Sequence, residues 1–102
     1  MKAQVILNPS AGQRDRRHEL KAAMTYLEDH GWQLSLRETR GPEEATTYAR
    51  QAVAEGYDVV IAAGGDGTVS EVANGLAGSE VALGMFPIGT TNVWALQMGI
   101  PP

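Results

Sequence analysis

Apolar residues in this chain come in short clusters, and their spacing changes from one cluster to the next. Gln4 to Leu7 (QVIL) is a compact apolar run closed by Asn8-Pro9, the pattern of a strand running into a turn. Leu20, Ala23, Met24 and Leu27 then recur at helical spacing, and Gly31 supplies a stop. Trp32, Leu34 and Leu36 alternate with polar residues, so a second strand has one wet face or lies at a sheet edge. Gly41-Pro42-Glu43-Glu44 opens a second helix, with proline in its first turn and acids near the positive dipole end. Its stripe is Ala45, Tyr48, Ala49, Ala52 and Val53, and Gly56 ends it.

Val59 to Ala63 (VVIAA) is apolar on both faces, as a central parallel strand requires. A glycine-rich turn follows, then a helix with Val69, Val72, Ala73 and Leu76 on one side. Val81 to Phe86 gives a fourth strand, and a last short helix is predicted around Val93 to Met98. Strict alternation of strands and helices predicts a doubly wound α/β fold, a parallel sheet in a three-layer αβα sandwich. That architecture also fixes where a ligand belongs, outside the carboxyl ends of the strands. Four loops leave those ends: Asn8 to Gly12, Thr39 to Gly41, Gly64 to Thr68 and Gly89 to Asn92. Every glycine-rich or unusually polar stretch falls in one of them.

Composition narrows the function classes. At 102 residues the chain suits one domain, and 43% hydrophobic residues are enough for a packed core. A net charge of −4 with no long basic run argues against a nucleic-acid partner held by phosphate neutralisation. Arg14, Arg16 and Arg17 form a local basic spot, read first as a solvated helix face. Absence of cysteine excludes disulfides and thiolate metal sites. The start MKAQVILNP lacks a signal-peptide pattern, and no apolar run approaches the roughly 20 residues of a membrane span. A cytoplasmic location is therefore expected, with peripheral visits to a membrane surface left open.

The third loop carries the clearest chemistry. Gly64, Gly65 and Gly67 let the backbone turn sharply and approach a ligand closely, while the next helix points unpaired N–H groups at the same place. That combination suits a phosphate. It is no Walker loop, and Ser70 stands where a dinucleotide fingerprint needs its last glycine. Asp66 either caps the helix at Val69 or its neighbour, or accompanies a cation, because a carboxylate beside a phosphate repels it otherwise. The cation that fits is Mg²⁺, shared between carboxylate and phosphate oxygens. Thr68 can donate to a phosphate or cap the helix.

The other loops are less specific. Asn8 can bond a nucleotide or form an Asx-turn. Thr39 is an ordinary β-branched strand end as well as a candidate contact. Gly89-Thr90-Thr91-Asn92 can cap the final helix, and is open to a second phosphate or substrate contact. His18 and His30 have no partner at metal-ligand spacing, and Trp94 and Met98 read as core.

Taken together, NPSAG at 8–12, Thr39, GGDGT at 64–68 and PIGTTN at 87–92 resemble the diacylglycerol kinase catalytic-domain family, which includes bacterial lipid kinases and sphingosine and ceramide kinases. The match runs over essentially the whole chain in the right order. GGDGT alone is shared with NAD kinases and phosphofructokinases; joined to NPSAG and PIGTTN it is specific for the lipid-kinase branch. The resemblance implies ATP across the strand ends, surrounded by Asn8, Thr39, Gly64, Gly65, Asp66, Gly67, Thr68, Val69, Ser70 and Thr90. Asp66 would act on Mg²⁺ indirectly, through Mg·ATP, and Gly89, Thr91 and Asn92 would lie toward the substrate.

The same resemblance implies transfer of the γ-phosphoryl to a lipid hydroxyl at a membrane surface. Val93 stands where many members have aspartate. Members continue into a β-sandwich domain that supplies the general base and much of the lipid site. This chain is accordingly expected to be an N-terminal ATP-binding domain, 1–102, with no catalytic base of its own and no complete catalytic site. Three alternatives remain at this point: an NAD kinase or phosphofructokinase relative, a non-catalytic nucleotide-binding module, and a purely structural flavodoxin-like domain. The acceptor's identity is open, and so is a homo-oligomeric state.

Overall fold

The computed structural model describes residues 1–9, 16–87 and 97–99. Its elements run β1 (Lys2–Leu7), α1 (Arg16–Asp29), β2 (Gln33–Glu38), α2 (Glu44–Ala54), β3 (Val59–Gly64), α3 (Asp66–Leu76), β4 (Ala82–Pro87) and β5 (Gln97–Gly99). The sheet order is β2-β1-β3-β4-β5, with β1 to β4 parallel. β2 is an edge strand, one of the two placements its alternating pattern allowed.

The central strands divide their side chains between two cores by the period of two that a strand imposes. Ala3, Val5, Leu7, Val59, Ile61, Ala63 and Phe86 meet Leu20, Ala23 and Leu27 of α1 on one face. Ile6, Val60 and Ala62 meet Ala45, Ala49 and Ala52 of α2 and Val72 and Leu76 of α3 on the other. The result is the predicted three-layer, doubly wound sandwich. Two helices end where glycine allows it. At Gly31 (φ 91) the amides of Gly31 and Trp32 bond back to the carbonyls of Glu28 and Leu27, closing α1; Gly56 (φ 83) does the same for α2.

Four local expectations need correction. Gln97 and Met98, predicted to be helical, belong to β5, which pairs antiparallel with β4 through Leu83↔Gly99 and Met85↔Gln97. The open edge of β4 offers that short segment backbone partners, which a single helical turn cannot match. Pro42 is not in the first turn of α2: the helix starts at Glu44, and Glu43 is its cap in the left-handed region (φ 66, ψ 0). Ala73 is exposed, and Gly75 takes the buried position, because α3 packs against α2 as well as the sheet. A Cβ on Gly75 would lie 2.5 Å from the Thr46 carbonyl oxygen and 2.7 Å from the Ala49 Cβ, so only glycine admits this approach. Finally, Asp66 does not cap α3. Gly65 is the cap residue, with no side-chain cap hydrogen bond, and Asp66 is the first helical residue.

Candidate functional site

β1 lies between β2 and β3, and the chain leaves β1 toward β2 but leaves β3 toward β4. The loops after β1 and β3 therefore diverge, leaving a crevice at the carboxyl edge of the sheet. Backbone bonds bring three predicted residues abreast there. The Asn8 amide donates to the Ala63 carbonyl at 3.0 Å, and the Thr39 amide donates to the Leu7 carbonyl at 2.9 Å. Leu7 pairs with both Glu38 and Ala63, so Asn8 sits one residue past the ladder with Thr39 on one side and Gly64 on the other.

An open cleft of about 540 Å³ occupies this edge, lined by Asn8, Pro9, Thr39, Arg40, Gly41, Pro42, Ala45, Thr68 and Glu71. Asn8, Thr39 and Thr68 come from the predicted set. Arg40 and Gly41 belong to a predicted loop without having been assigned a role. Ala45 and Glu71 were missed. Glu71 follows Thr68 by three positions, and that spacing on one helix face was the available signal.

The glycine loop separates into two kinds of position. Gly64 is buried, and a Cβ there would lie 2.6 Å from the Thr68 hydroxyl oxygen. Its role is internal: it lets Thr68, itself 3% exposed, fold back over the end of β3. Gly65 and Gly67 are different. Both are exposed, a Cβ on either would meet nothing within 4 Å, and Gly65 has the ordinary extended backbone (φ −86, ψ −170). The fold itself places no demand for glycine at either.

Asp66 and Ser70 are exposed on the same helix. Val69 offers the cleft nothing, because its amide bonds the Gly65 carbonyl at 3.2 Å and its side chain packs against the α2–α3 core. Thr90, Gly89, Thr91 and Asn92 lie outside the described residues, as do Ser10 to Gly12, Arg14, Val93 and Trp94.

Charge around the cleft is mixed. Arg17 pairs with Glu38 across 2.8 Å, so one cation of the basic spot is engaged with the end of β2. Its hydrogen bond holds the Glu38 carboxyl below the usual carboxylate range. Among the described residues no three carboxylates or imidazoles converge. A cation at Asp66 would thus take its remaining ligands from phosphate oxygens and water. The His30 Nδ1 lies 2.8 Å from the Tyr26 carbonyl oxygen, at the end of its own helix. Among the described residues no helix is long and apolar enough to cross a membrane.

A family model described as the diacylglycerol kinase catalytic domain matches residues 2–102. This chain belongs to the diacylglycerol kinase catalytic-domain family. A diacylglycerol kinase of Bacillus subtilis (strain 168) is 39% identical to it over 102 residues, covering 98% of this chain and 34% of that protein. A diacylglycerol kinase of Staphylococcus aureus (strain bovine RF122 / ET3-1) is 41% identical, covering 98% of this chain and 32% of the relative. Among solved structures, a diacylglycerol kinase from Bacillus anthracis str. Sterne superposes with a TM-score of 0.71 at 36% identity, over 89% of this chain and 32% of that one. The chain thus spans about a third of the length of these relatives. Membership in the diacylglycerol kinase family answers to the motif set NPSAG, GGDGT and PIGTTN, and sets aside the flavodoxin-like alternative.

Proposed function

We propose that this chain is the ATP-binding part of a lipid kinase, and that its strand-end cleft holds Mg·ATP for transfer of the γ-phosphoryl to the hydroxyl of a diacylglycerol-like lipid. One observation carries the reading. Gly65 and Gly67 are bare, exposed and unconstrained at the start of α3, beside a cleft lined by Asn8, Thr39 and Thr68. Glycine inside a helix is less favourable than alanine by about 0.5–1 kcal/mol, so Gly67, with the equally unhindered cap residue Gly65 beside it, points outward, to a ligand approaching the backbone.

The division of labour follows from the geometry. The amides at the start of α3 and the dipole behind them favour a phosphate chain at Gly65 to Gly67. Thr68 and Asn8 bring a hydroxyl and an amide to the floor of the cleft. Thr39 to Pro42 and Ala45 form the wall that would shelter the nucleoside, with Glu71 opposite as a hydrogen-bond acceptor. Asp66, exposed and first in the helix, would share Mg²⁺ with the phosphates. ATP supplies the phosphoryl group and Mg²⁺ neutralises its charge; the protein residues bind and orient, which is most of what phosphoryl transfer asks of a protein. On this reading the general base, and most of the lipid site at the membrane surface, come from outside these 102 residues, and this chain alone binds nucleotide without turning over lipid.

An amide NMR titration with ATP, with and without Mg²⁺, tests the reading. Selective shifts at Asn8, Thr39 and Gly64 to Ser70 are expected. No shifts at millimolar ATP would remove the claim that this chain binds nucleotide by itself. Binding of NAD in preference to ATP would redirect it to another kinase class.

A further inference from the structure

The wall of the cleft has a buttress that does not line it. Glu44, the first residue of α2, accepts the backbone N–H of Arg40 through Oε1 at 2.8 Å, spanning the loop Arg40 to Glu43. The same Oε1 accepts the Tyr48 hydroxyl at 3.2 Å, one helical turn on. Tyr48 is covered in turn by the Arg37 guanidinium, 3.8 Å from its ring centroid, and Arg37 donates to Gln51 Oε1 at 2.6 Å. Arg40, Gly41 and Pro42 face the cleft; Glu44 and Tyr48 are not among the residues lining it.

The loop is also strained. Among the described residues Glu43 alone of the non-glycines has positive φ, at 66°, and as the cap of α2 it makes no side-chain cap hydrogen bond. A serine or aspartate in extended conformation is the ordinary way to begin a helix and satisfies an N–H besides. Backbone strain of this kind persists only where neighbouring contacts over-determine the conformation. Here the over-determining contact is the Glu44–Arg40 bond, which fixes both ends of the turn.

We propose that Glu44 is a positioning residue: braced by Tyr48 and Arg37, it holds the strained Arg40–Glu43 turn in the one shape that walls the nucleotide cleft, without touching the ligand. This rests on the nucleotide reading above and adds a conformational element to it. The turn has a relaxed alternative, and the bond to Glu44 keeps it from being populated. A wall that is formed only part of the time weakens apparent affinity in proportion to the competent fraction.

Four proteins are compared by Mg·ATP titration, thermal unfolding and amide exchange at Arg40: wild type, Glu44→Ala, Glu44→Gln and Glu43→Gly. In Glu44→Ala the Arg40 amide exchanges faster and the Kd rises about fivefold, as for a turn formed one fifth of the time. Glu44→Gln keeps the acceptor and stays within about twofold of wild type. Glu43→Gly removes strain and no bond, so it favours the native turn over its alternative: its Tm is unchanged or higher and its Kd stays at or below that of wild type. Should Glu44→Ala fail to fold, Glu43→Gly/Glu44→Ala, relieved of the strain, keeps the test open. Its Arg40 amide exchanges faster than in wild type and its Kd rises by less than about fivefold, and wild-type values for both would overturn the proposal. Wild-type affinity in Glu44→Ala, or a raised Kd in Glu43→Gly, would overturn the proposal while leaving the nucleotide site intact. A wild-type chain that binds no ATP would overturn both readings, and the wild-type titration separates the two cases.

Discussion

The Thr68 hydroxyl occupies the space that a side chain on Gly64 would need, 2.6 Å from where its Cβ would be. The last residue of β3 and the first turn of α3 are thereby packed as one unit, and the position of Thr68 in the cleft depends on the absence of an atom four positions back along the chain. Gly64→Ala should therefore lose about 2 kcal/mol of stability by overpacking. It should also weaken ATP binding beyond what its stability loss explains. Urea unfolding paired with nucleotide titration checks both.

Gly65 and Gly67 predict the opposite pairing of effects. An added Cβ meets no protein atom at either position. Gly67→Ala should hold or raise stability, by up to about 1 kcal/mol, because alanine is the better helix former. The same substitution should weaken ATP at least about tenfold, since the methyl stands where phosphate oxygens approach. Thermal unfolding and isothermal titration on one preparation decide it, and unchanged affinity would return these glycines to chance.

Asp66 begins α3 without capping it, so its loss should cost the fold little. Asp66→Ala should weaken Mg·ATP about tenfold, in line with losing one charge-assisted contact, and metal-free ATP far less. Titrations with Mg²⁺ and with EDTA make the comparison. Equal loss in both would place the role of Asp66 in the helix dipole alone.

At Gly75 the balance of propensity and packing can be read directly. Alanine should gain about 1 kcal/mol as a helix former, but its methyl would press on the Thr46 carbonyl and Ala49. Overpacking of that kind costs about 1–3 kcal/mol. The net expectation for Gly75→Ala is a loss of about 1 kcal/mol, lowering Tm by about 4 °C or more in a domain of this size. Differential scanning calorimetry would show it.

The Arg17–Glu38 pair gives a pH dependence of known sign. Its hydrogen bond lowers the Glu38 value in the folded state, so the pair's contribution is present above the ordinary carboxylate range and is lost as pH falls through the lowered folded value. Both side chains are well exposed, and salt will screen them. Glu38→Gln should lower Tm slightly at pH 7 and low ionic strength. The gap from wild type should close as the pH drops below about 4.

Much of this molecule can be read from residue order alone, because the period of two in VVIAA and the helical spacing of Leu20, Ala23 and Leu27 report which side of each element meets another. The crevice was legible for the same reason: parallel strands put their ends on one edge, and the glycines and hydroxyls of the chain gather there. What escaped depends on contacts between elements. Gly75 looks like a helix weakness until α2 is beside it, and Gln97 and Met98 look helical until β4 offers an edge. Glu43 gives no sign of positive φ, since its conformation is set by the bond between Glu44 and Arg40. Of the two readings open for Asp66, capping fails by one position: Gly65 is the cap, and Asp66 is an exposed first-turn carboxylate.

Gly75 has a consequence for how the cleft can move. Thr46 on α2 also donates to the Glu71 carbonyl at 2.8 Å, and Ala45 and Glu71, one from each helix, lie on the cleft. Contact without intervening side chains acts as a fixed calliper: the jaws formed by α2 and α3 keep one gauge whether the cleft is full or empty. Any change in the cleft's width is then left to the turn before α2, which the Glu44–Arg40 bond holds in its own right.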